Sequence, residues 1–269
     1  MSRDLPSAPF PDNQVDVWCA RVPDQWDFDL THTYQKILSS EESDRYTRFA
    51  FEKDRHQFLL TRALVRDVLS RYLNAEPSAL VFTRNAYGKP ALAEPVGCPV
   101  TFSLSHTKGL SVCAVTAVRL VGVDVESLRR ANGSPEIANR FFAPAEVAFL
   151  GRFNGEQKRT QFLRLWTLKE AFVKACGLGL SLPLHSFAIE ILPGQPPSVS
   201  YSDGSQYDKA DWRFLQIRLG RSYHLAIALS MPEPKEMAIK FSTITPLRGE
   251  SASILLRPNG VNEWFLDQV

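Results

Sequence analysis

The sequence predicts an α+β protein made of a duplicated unit. Three observations indicate this fold class: short segments alternate apolar and polar residues as strands do, longer segments repeat apolar residues at helical spacing, and similar strand text, LSVCAVTA (110–117) and YHLAIALS (223–230), recurs in the two halves. We expect a pseudo-twofold arrangement with the functional site in the cleft between the halves. The predicted divisions are an N-terminal arm (1–14), an N-terminal half (15–120), a C-terminal half (121–245) and a C-terminal appendage (246–269).

The composition is that of an ordinary folded protein. The chain has 269 residues, 31 Lys and Arg against 29 Asp and Glu, and 44% hydrophobic residues, which excludes disorder along the whole length and disfavours a dedicated nucleic-acid binder. No run of about 18 apolar residues exists, so no membrane span is expected. The N-terminal segment lacks the apolar stretch of a secretory signal, and the four cysteines form no C-x-x-C pair. We therefore expect a cytoplasmic protein with reduced thiols.

The first half is predicted to contain one long helix and a series of strands. Between about Glu41 and Asn74, apolar residues recur at helical spacing with arginines on the other face, and Pro77 ends the segment. Thr107–Lys108–Gly109 would join two strands as a short hairpin loop. The extended segments are 15–22, 81–92 (with a glycine turn), 100–106, 110–117 and, at the start of the second half, 121–126.

The second half is predicted to contain two helices and three further strands. One helix would begin near Pro144, since proline suits the first helical position, and a stronger one would cover about 157–176, with Gly177 as its end. The polar segment RRANGSPE (129–136) would connect the halves. The apolar segment RFFAPAEVAFL (140–150) is either a docking surface or a buried helix face. The strands are 187–192, 212–219 and 223–230.

Two acids lie two residues apart in the predicted strand VGVDVE (121–126). Because alternate residues of a strand point to the same face, Asp124 and Glu126 would present two carboxylates at one point of an otherwise apolar segment. Burying such charges is costly unless a cation offsets them, and carboxylate oxygens suit Mg²⁺. Two interpretations stay open, a magnesium site or an exposed strand end with solvated acids.

The segment WTLKEAFVKACGLGL (166–180) places charged side chains on a helix that also has a strong apolar face. Glu170 and Lys174 are four residues apart and are therefore neighbours on the helix surface. They belong either to a charged functional site or to an ordinary surface ion pair.

Ser105 and His106 end the predicted strand FSLSH (102–106). The histidine could contact a phosphate or a carboxylate, or it could be structural. A Ser–His hydrolase is disfavoured, because no G-x-S-x-G elbow surrounds Ser105 and adjacent side chains on a strand point to opposite faces.

Basic residues are concentrated between residues 45 and 71, where seven of them accompany three acids, and Arg84 and Lys89 follow. Such a cluster could bind phosphates through charge-assisted hydrogen bonds, or it could be a solvated helix face. The chain has no G-x-x-x-x-G-K-[ST] string, which disfavours an ordinary P-loop NTPase.

Several strings occur together in a specific order along the chain: GKP (88–90), FSLSH (102–106), GVDVE (122–126), RFF (140–142) and WTLKEAFVKACGLGL (166–180). This pattern resembles the Sfp-type 4′-phosphopantetheinyl transferases, whose hallmark strings are GVDxE and WxxKEAxxKxxGxGL. The resemblance spans roughly residues 15–230 and implies the fold of that family, two similar halves with the active site between them.

The resemblance implies a role for each matching residue. Asp124, Glu126 and Glu170 match the magnesium-binding acids, and Glu170 also matches the glutamate thought to deprotonate the acceptor serine, directly or through water. Lys174 matches the lysine that helps to neutralise the pyrophosphate. Ser105 and His106 match the pair near the 3′-phosphate of coenzyme A. The positions that match the binding site for the nucleotide end of coenzyme A are Lys53, Arg84, Gly88, Lys89 and Pro90, with Arg45 as a weaker candidate.

Two positions depart from the family pattern. Ser103 stands where the histidine string often has asparagine, and Ala143 follows RFF where serine or threonine is frequent. Without a hydroxyl at residue 143, we expect one helix cap to be lost.

The implied reaction is attack of a serine on the β-phosphorus of coenzyme A, with Mg²⁺ as cofactor and 3′,5′-ADP as the product that leaves. The expected partners are coenzyme A and apo acyl- or peptidyl-carrier proteins of fatty-acid, polyketide or nonribosomal peptide synthesis. No nucleic acid or membrane is expected, and the internal repeat favours a monomer. Two alternatives stay open: a coenzyme A-dependent acyltransferase or magnesium phosphohydrolase that uses the same acids, and a non-catalytic module that binds carrier proteins.

Overall fold

Two long helices, each packed on a sheet of its own, organise the chain. The computed structural model describes residues 10–23, 25–98, 100–117, 120–128, 135–201, 211–231, 237–257 and 263–266. The chain divides into two compact units. Unit 1 comprises Met1–Asn85, Pro90–Ala117 and Met237–Arg257, and unit 2 comprises Ala86–Lys89, Val118–Glu236 and Pro258–Val269.

The helices and strands follow in this order: β1 (Gln14–Arg21), α1 (Phe28–Gln35), α2 (Ser40–Thr47), α3 (Glu52–Leu73), β2 (Val81–Arg84), β3 (Pro90–Glu94), β4 (Thr101–Thr107), β5 (Leu110–Thr116), β6 (Leu120–Ser127), α4 (Ala138–Phe141), α5 (Pro144–Leu150), α6 (Gly155–Cys176), β7 (Phe187–Glu190), β8 (Ser198–Tyr201), β9 (Asp211–Leu219), β10 (Tyr223–Met231), β11 (Ala238–Thr245), β12 (Gly249–Leu256) and β13 (Glu263–Leu266).

Unit 1 is built on a five-stranded sheet with the strand order β12-β11-β1-β5-β4. Strand β1 pairs parallel with β11 and antiparallel with β5, and β5 pairs antiparallel with β4. Helix α3 packs on β1 and β5 because its apolar residues recur on one face. The buried residues of this contact include Leu60, Leu64, Val68, Trp18 and Val115.

The single helix expected over 41–74 is two helices, α2 and α3. Helix α2 buries none of its residues and is defined by its N-terminus, where Ser39 and Glu42 form a reciprocal capping box. Helix α3 ends at Asn74, which adopts the left-handed conformation with φ of 47°. Pro77 begins a short 3₁₀ turn that follows. The prediction that this region is helical was correct, and the prediction of one continuous helix was wrong.

Unit 2 is built on a four-stranded sheet with the strand order β13-β9-β10-β6. Helix α6 packs on β6 and β10 and is 22 residues long, the same length as α3 in unit 1. It ends at Gly177, whose φ of 72° suits glycine, as the sequence predicts. Each unit thus combines a long helix with a mainly antiparallel sheet, and the predicted duplicated α+β unit is confirmed at this level.

Other predicted elements can be compared one by one. The β4–β5 hairpin, the β2–β3 ribbon, the helix that begins at Pro144 and strands β6, β7, β9 and β10 are confirmed. Helix α1 and strands β8, β11, β12 and β13 were not predicted. Most of the expected arm (1–14) and of the expected connection (129–136) lies outside the described residues.

The stretch expected to be a C-terminal appendage (246–269) contributes strands to both units instead. Gly249–Leu256 pairs with β11 in unit 1, and Glu263–Leu266 pairs with β9 in unit 2. The unit boundaries also differ from the predicted ones, since residues 237–257 belong to unit 1. The reason is that Ile239 and Phe241 of β11 are buried beside β1, an association of distant segments that no local pattern reveals.

Candidate active site

The close approach of helix α6 to strand β6 sets the site. A Cβ atom on Gly122 would lie 1.9 Å from Ala171 O and 2.4 Å from Ala175 N, so only glycine lets the helix lie this near to the strand. Asp124 lies two residues further along β6, on the same face as Gly122. Lys174 of α6 reaches it, with Nζ 2.7 Å from Asp124 Oδ1. The strings GVDVE and WTLKEAFVKACGLGL therefore meet in unit 2.

Three carboxylates influence one another around this ion pair. Burial raises the pKa of Glu126 to about 7, and Asp124 and Glu170 add to the rise while Lys174 opposes it. Burial likewise raises the pKa of Glu170, Asp124 adds to the rise, and Lys174 again opposes it. When all are ionised, three negative charges face one ammonium. The acids are thus neither fully solvated nor a simple surface pair.

The donor set fits a hard divalent cation by its chemistry. Carboxylate oxygens are ligands that Mg²⁺ prefers. A bound cation would offset the negative charge of Asp124 and Glu170, which adds to the rise that burial causes in the pKa of Glu126. In the described part of the chain, however, no three His, Cys, Asp or Glu side chains are gathered as ligands of one metal ion. Lys174 holds Asp124 Oδ1 in this arrangement. The metal role of these acids stays a prediction.

Lys169, the neighbour of Glu170 on α6, points into the core. Its Nζ lies 2.8 and 2.7 Å from the two carboxylate oxygens of Glu146 and 2.7 Å from Phe187 O. Both side chains of this ion pair are buried. Glu146 also accepts hydrogen bonds from the backbone N–H groups of Ala143 and Ile189. This pair holds α6 against α5 and β7, and the sequence analysis did not find it.

The start of α5 keeps half of a capping box. Glu146 accepts a hydrogen bond from Ala143 N at 2.9 Å, while the alanine has no hydroxyl to return one. The expected loss of one helix cap is confirmed. Helix α5 forms the second part of the segment RFFAPAEVAFL (140–150). In this segment Phe142 and Leu150 are buried and Phe141 is exposed, so most of its apolar surface belongs to the core.

His224 is a further residue near the acids that the sequence analysis missed. It lies directly opposite Glu126 in the β6–β10 ladder and is fully buried. Its Nδ1 lies 3.1 Å from Thr167 Oγ1 of α6. Burial lowers the pKa of His224 to about 3, and Arg164 and Arg218 add to the effect. The ring is therefore neutral at ordinary pH. The sequence feature that could have predicted this buried histidine is its position within the apolar strand YHLAIALS (223–230).

The GKP turn is tied to the same strand and helix. Lys89 Nζ donates to Val121 O at 3.2 Å and to Ala175 O at 3.0 Å, and burial lowers its pKa to about 8. Gly88 is exposed and has a φ of 89°, which suits glycine at the turn. Lys89 thus has a structural task in unit 2, and its expected contact with coenzyme A stays a prediction.

The remaining candidate residues lie in unit 1. Lys53, in the first turn of α3, and Arg84, at the end of β2, are exposed. On β4, His106 is exposed and Ser105 is buried. The other two candidates are Pro90, the first residue of β3, and Arg45, which is exposed and lies over the Phe58 ring.

Most arginines of the predicted basic cluster bind the protein itself. Arg66 is buried and donates to Glu42 Oε2 at 2.9 and 2.7 Å and to the carbonyls of Pro77 and Leu80. Arg71 donates to Asp67 at 2.9 Å. For these two residues both the phosphate-binding and the solvated-face interpretations were wrong. Their buried acceptors lie far away in the sequence or one turn back on the same helix.

Two family models match the chain in succession. The family described as 4′-phosphopantetheinyl transferase, N-terminal, matches residues 22–118, and the 4′-phosphopantetheinyl transferase superfamily matches residues 120–228. The second match contains the whole acid cluster. The 4′-phosphopantetheinyl transferase HetI of Nostoc sp. strain PCC 7120 is 37% identical over 186 residues, which are 68% of this chain and 77% of HetI. This chain belongs to the 4′-phosphopantetheinyl transferase superfamily.

Other members of the superfamily match a similar share of the chain. The 4′-phosphopantetheinyl transferase Sfp of Bacillus subtilis strain 168 is 33% identical over 170 residues, 63% of this chain and 74% of Sfp. The solved structure of holo-[acyl-carrier-protein] synthase (AcpS) of Thermotoga maritima is 18% identical, with a TM-score of 0.36, and covers 52% of this chain and 84% of that one, too weak a likeness to add to the assignment. Enzymes of this superfamily transfer phosphopantetheine from coenzyme A to carrier proteins, so the chain belongs to a transferase class.

Among the residues that the structure describes, no helix is both long enough and apolar enough to cross a membrane.

Proposed function

We propose that this chain transfers the 4′-phosphopantetheine arm of coenzyme A to a serine of an apo acyl- or peptidyl-carrier protein in an Mg²⁺-dependent reaction that releases 3′,5′-ADP. One observation carries the proposal: burial and the neighbouring Asp124 raise the pKa values of both Glu126 and Glu170 beside the Lys174–Asp124 ion pair, within the segment that matches the superfamily. A cluster with surplus negative charge suits a site that takes up a cation together with a phosphorylated substrate.

The three carboxylates are the residues that would hold Mg²⁺. When bound, the ion would supply a positive charge that stabilises the negative charge developing on the departing phosphate. The protein's own contribution is to keep the acids on a rigid strand and a rigid helix. Gly122 secures this by allowing α6 to lie directly on β6.

Glu170 is proposed as the general base. The raised pKa of its carboxylate, caused first by burial and then by Asp124, moves it toward the range in which a carboxylate accepts a proton readily. Glu170 takes the proton of the serine hydroxyl, directly or through water. The serine Oγ forms a bond to the β-phosphorus while the bond from that phosphorus to the bridging oxygen breaks. The electron pair leaves with 3′,5′-ADP.

Lys174 is proposed to neutralise the pyrophosphate during the same step. Its side chain is 30% exposed and its ammonium is bound to Asp124, so the ammonium can be shared with an incoming anion. Positioning and charge stabilisation supply the catalysis, since no covalent enzyme intermediate is involved.

The candidate residues outside the acid cluster are proposed to bind the nucleotide end of coenzyme A. The exposure of Lys53, Arg84 and His106 supports this, because a cationic or donor group at the surface is accessible to a phosphate from solvent. Ser105, Gly88, Lys89, Pro90 and, more weakly, Arg45 complete the proposed set. We also propose a monomer in the cytoplasm, and the four free cysteines suit a reducing compartment.

Mass spectrometry of an apo-carrier tests the proposal. After incubation with this protein, coenzyme A and Mg²⁺, the carrier should gain about 340 Da, the mass of one phosphopantetheine arm on serine, and 3′,5′-ADP should appear. Free coenzyme A as the product would indicate an acyltransferase instead. An unchanged carrier with bound protein would indicate a non-catalytic carrier-binding module. Carriers of the fatty-acid, polyketide and peptide-synthesis types should be compared side by side.

A further inference from the structure

A closed ring of hydrogen bonds ties the N-terminal part of α3 to strand β5. Gln57 Nε2 donates to Ser111 Oγ at 2.8 Å, and Thr61 Oγ1 lies 2.7 Å from Ser111 Oγ. Thr61 Oγ1 donates its own hydrogen to Gln57 O at 2.7 Å. The Ser111 hydroxyl must therefore be the donor toward Thr61, and each hydroxyl hydrogen in the ring is used.

The same glutamine also holds the turn of the β4–β5 hairpin. Gly109 N donates to Gln57 Oε1 at 3.0 Å, while Gln57 Nε2 lies 3.4 Å from Leu110 O. Because one end of the amide must accept and the other must donate, its orientation is fixed. Val22 N donates to Gly109 O at 3.0 Å and secures the turn from the side of β1. One side chain thus clamps the hairpin turn to α3.

Two proposed coenzyme A contacts flank this clamp on different elements. His106 lies directly opposite Ser111 in the antiparallel ladder, so their side chains share one face of the sheet, the face that Gln57 approaches. Lys53 precedes Gln57 by four residues and therefore lies on the same side of α3. His106 and Lys53 are each one neighbour away from the clamp, one along the sheet and one along the helix.

We propose that Gln57 is a positioning residue for coenzyme A: by clamping the hairpin to α3 it sets His106 relative to Lys53, so that both meet the phosphate groups of the nucleotide end. This rests on the proposed function, which assigns those two residues to coenzyme A. Two donors on separate elements hold one anion well only when their separation is fixed within a fraction of an ångström. Gln57 provides that fixation without touching the ligand.

The test uses 3′,5′-ADP, the nucleotide end itself, as the probe. Gln57→Leu removes the donor and the acceptor with little change in volume, and Gln57→Glu keeps the acceptor for Gly109 N while it loses the donor to Ser111. By calorimetry, Gln57→Leu should weaken 3′,5′-ADP binding about tenfold, as expected when a small hydrogen-bond network is cut, and Gln57→Glu should weaken it less. Gln161→Leu, the same substitution on α6 in unit 2, should leave binding unchanged.

Kinetics separate positioning from general damage. Gln57→Leu should raise the KM for coenzyme A by a factor similar to the loss in binding, with kcat and the KM for the carrier little changed. Because Gln57 acts through His106, adding Gln57→Leu to His106→Ala should weaken binding little further.

Three results would overturn the proposal: normal 3′,5′-ADP binding in folded Gln57 variants, losses that add fully in the double variant, or a fall in kcat at an unchanged KM. Should Gln57→Leu fail to fold, Gln57→Glu carries the same comparison. The proposed function fails separately when His106→Ala and Lys53→Ala bind 3′,5′-ADP normally, or when the wild-type protein leaves the carrier unmodified.

Discussion

Lys169 and Lys174 lie on the same helix, and each places its ammonium 2.7 Å from a carboxylate oxygen. Their surroundings are opposite in kind. Lys169 and Glu146 are 0% and 1% exposed, one cation matches one anion, and backbone groups satisfy the remaining hydrogen bonds. Lys174 is 30% exposed and faces three carboxylates. We call the first the closed pair and the second the open cluster.

The difference separates stability from function. The closed pair has no charge left over, so another ion would gain nothing by approaching it, while removal of either partner would leave a buried charge alone. The open cluster keeps surplus negative charge at a place that solvent reaches, which destabilises the protein slightly and favours the uptake of a cation. Two lysines five residues apart should therefore respond differently to mutation.

The largest expected effect is on turnover at the open cluster. Glu170→Gln removes the proposed general base and one carboxylate, and kcat should fall by about 10²–10⁴-fold, the usual contribution of a positioned base. Stability should stay equal or rise slightly, since one repelling charge is gone. Rates of carrier modification and urea unfolding measure the two effects. Glu156→Gln, at an exposed acid in the first turn of the same helix, should keep full activity. Normal turnover in Glu170→Gln would remove this residue from the mechanism.

The next effect is on stability at the closed pair. Lys169→Met leaves the Glu146 carboxylate buried without its cation and should lower the free energy of unfolding by about 3–5 kcal/mol. Urea unfolding followed by circular dichroism measures the loss. Lys158→Met, at a partly exposed lysine of the same helix, is the control and should change stability by less than about 0.5 kcal/mol.

A second substitution sharpens that result. Glu146→Gln combined with Lys169→Met removes both charges, and part of the lost stability should return. If the double variant is no more stable than Lys169→Met alone, the loss comes from packing against Phe142 and Phe187, whose rings lie 5.4 and 4.1 Å from Lys169 Nζ, rather than from the unpaired charge.

Helical spacing alone could have shown that Lys169 is buried, although the sequence analysis did not use it in this way. Lys169 occupies an apolar position of α6, with Leu165 four residues before it and Phe172 three after it, and that spacing indicates a buried lysine. Its partner could not be found in the same way, because Glu146 lies on another helix and nothing local connects the two. The strings around Asp124 and Glu170 were found because alternation and helical spacing act over a few residues.

Long-range pairing explains the rest of what sequence analysis missed. Strand β11 lies parallel to β1, more than 220 residues earlier in the chain. In the sequence, the apolar residues that both strands bury are the only sign of this contact. The clamp at Gln57 is of the same kind, since Ser111 lies 54 residues away. Polar residues of this sort look like ordinary surface positions until the fold brings their partners near.

The third effect is a pH dependence of stability that belongs to the open cluster. Burial raises the pKa of Glu126 to about 7 from an ordinary 4.5, so the folded state holds this proton more tightly than the unfolded state does. The stabilisation is complete below pH 4.5 and is lost as the pH rises through 7, an effect on the order of 3 kcal/mol before solvent screening reduces it. Without Mg²⁺, wild type should therefore lose stability relative to Glu126→Gln between pH 5 and pH 8.

The difference between variant and wild type is the proper readout. His224, whose pKa burial lowers to about 3 from 6.5, acts in the opposite direction below pH 6.5 in both proteins and cancels in that difference. Urea unfolding in EDTA measures it. Added Mg²⁺ should then stabilise wild type more at pH 8 than at pH 5, and Glu126→Gln less at both. Equal pH profiles for the two proteins would show that the acids do not form one electrostatic cluster.

The smallest effect belongs to the closed side of the comparison, at the start of α5. Ala143 has the extended backbone of an N-cap residue, and Glu146 already accepts a hydrogen bond from its N–H, but the returning bond is missing. Ala143→Ser would supply a hydroxyl acceptor for the backbone N–H groups of the first turn and should add about 0.5–1 kcal/mol to the free energy of unfolding. Ala145→Ser, one residue inside the helix and exposed, should instead lower stability slightly, since serine is a weaker helix former.

Because Glu146 belongs to the closed pair and not to the open cluster, neither substitution should change turnover. A gain in stability accompanied by a loss of activity would mean that α5 is coupled to the acids, and the separation between the two regions would no longer hold.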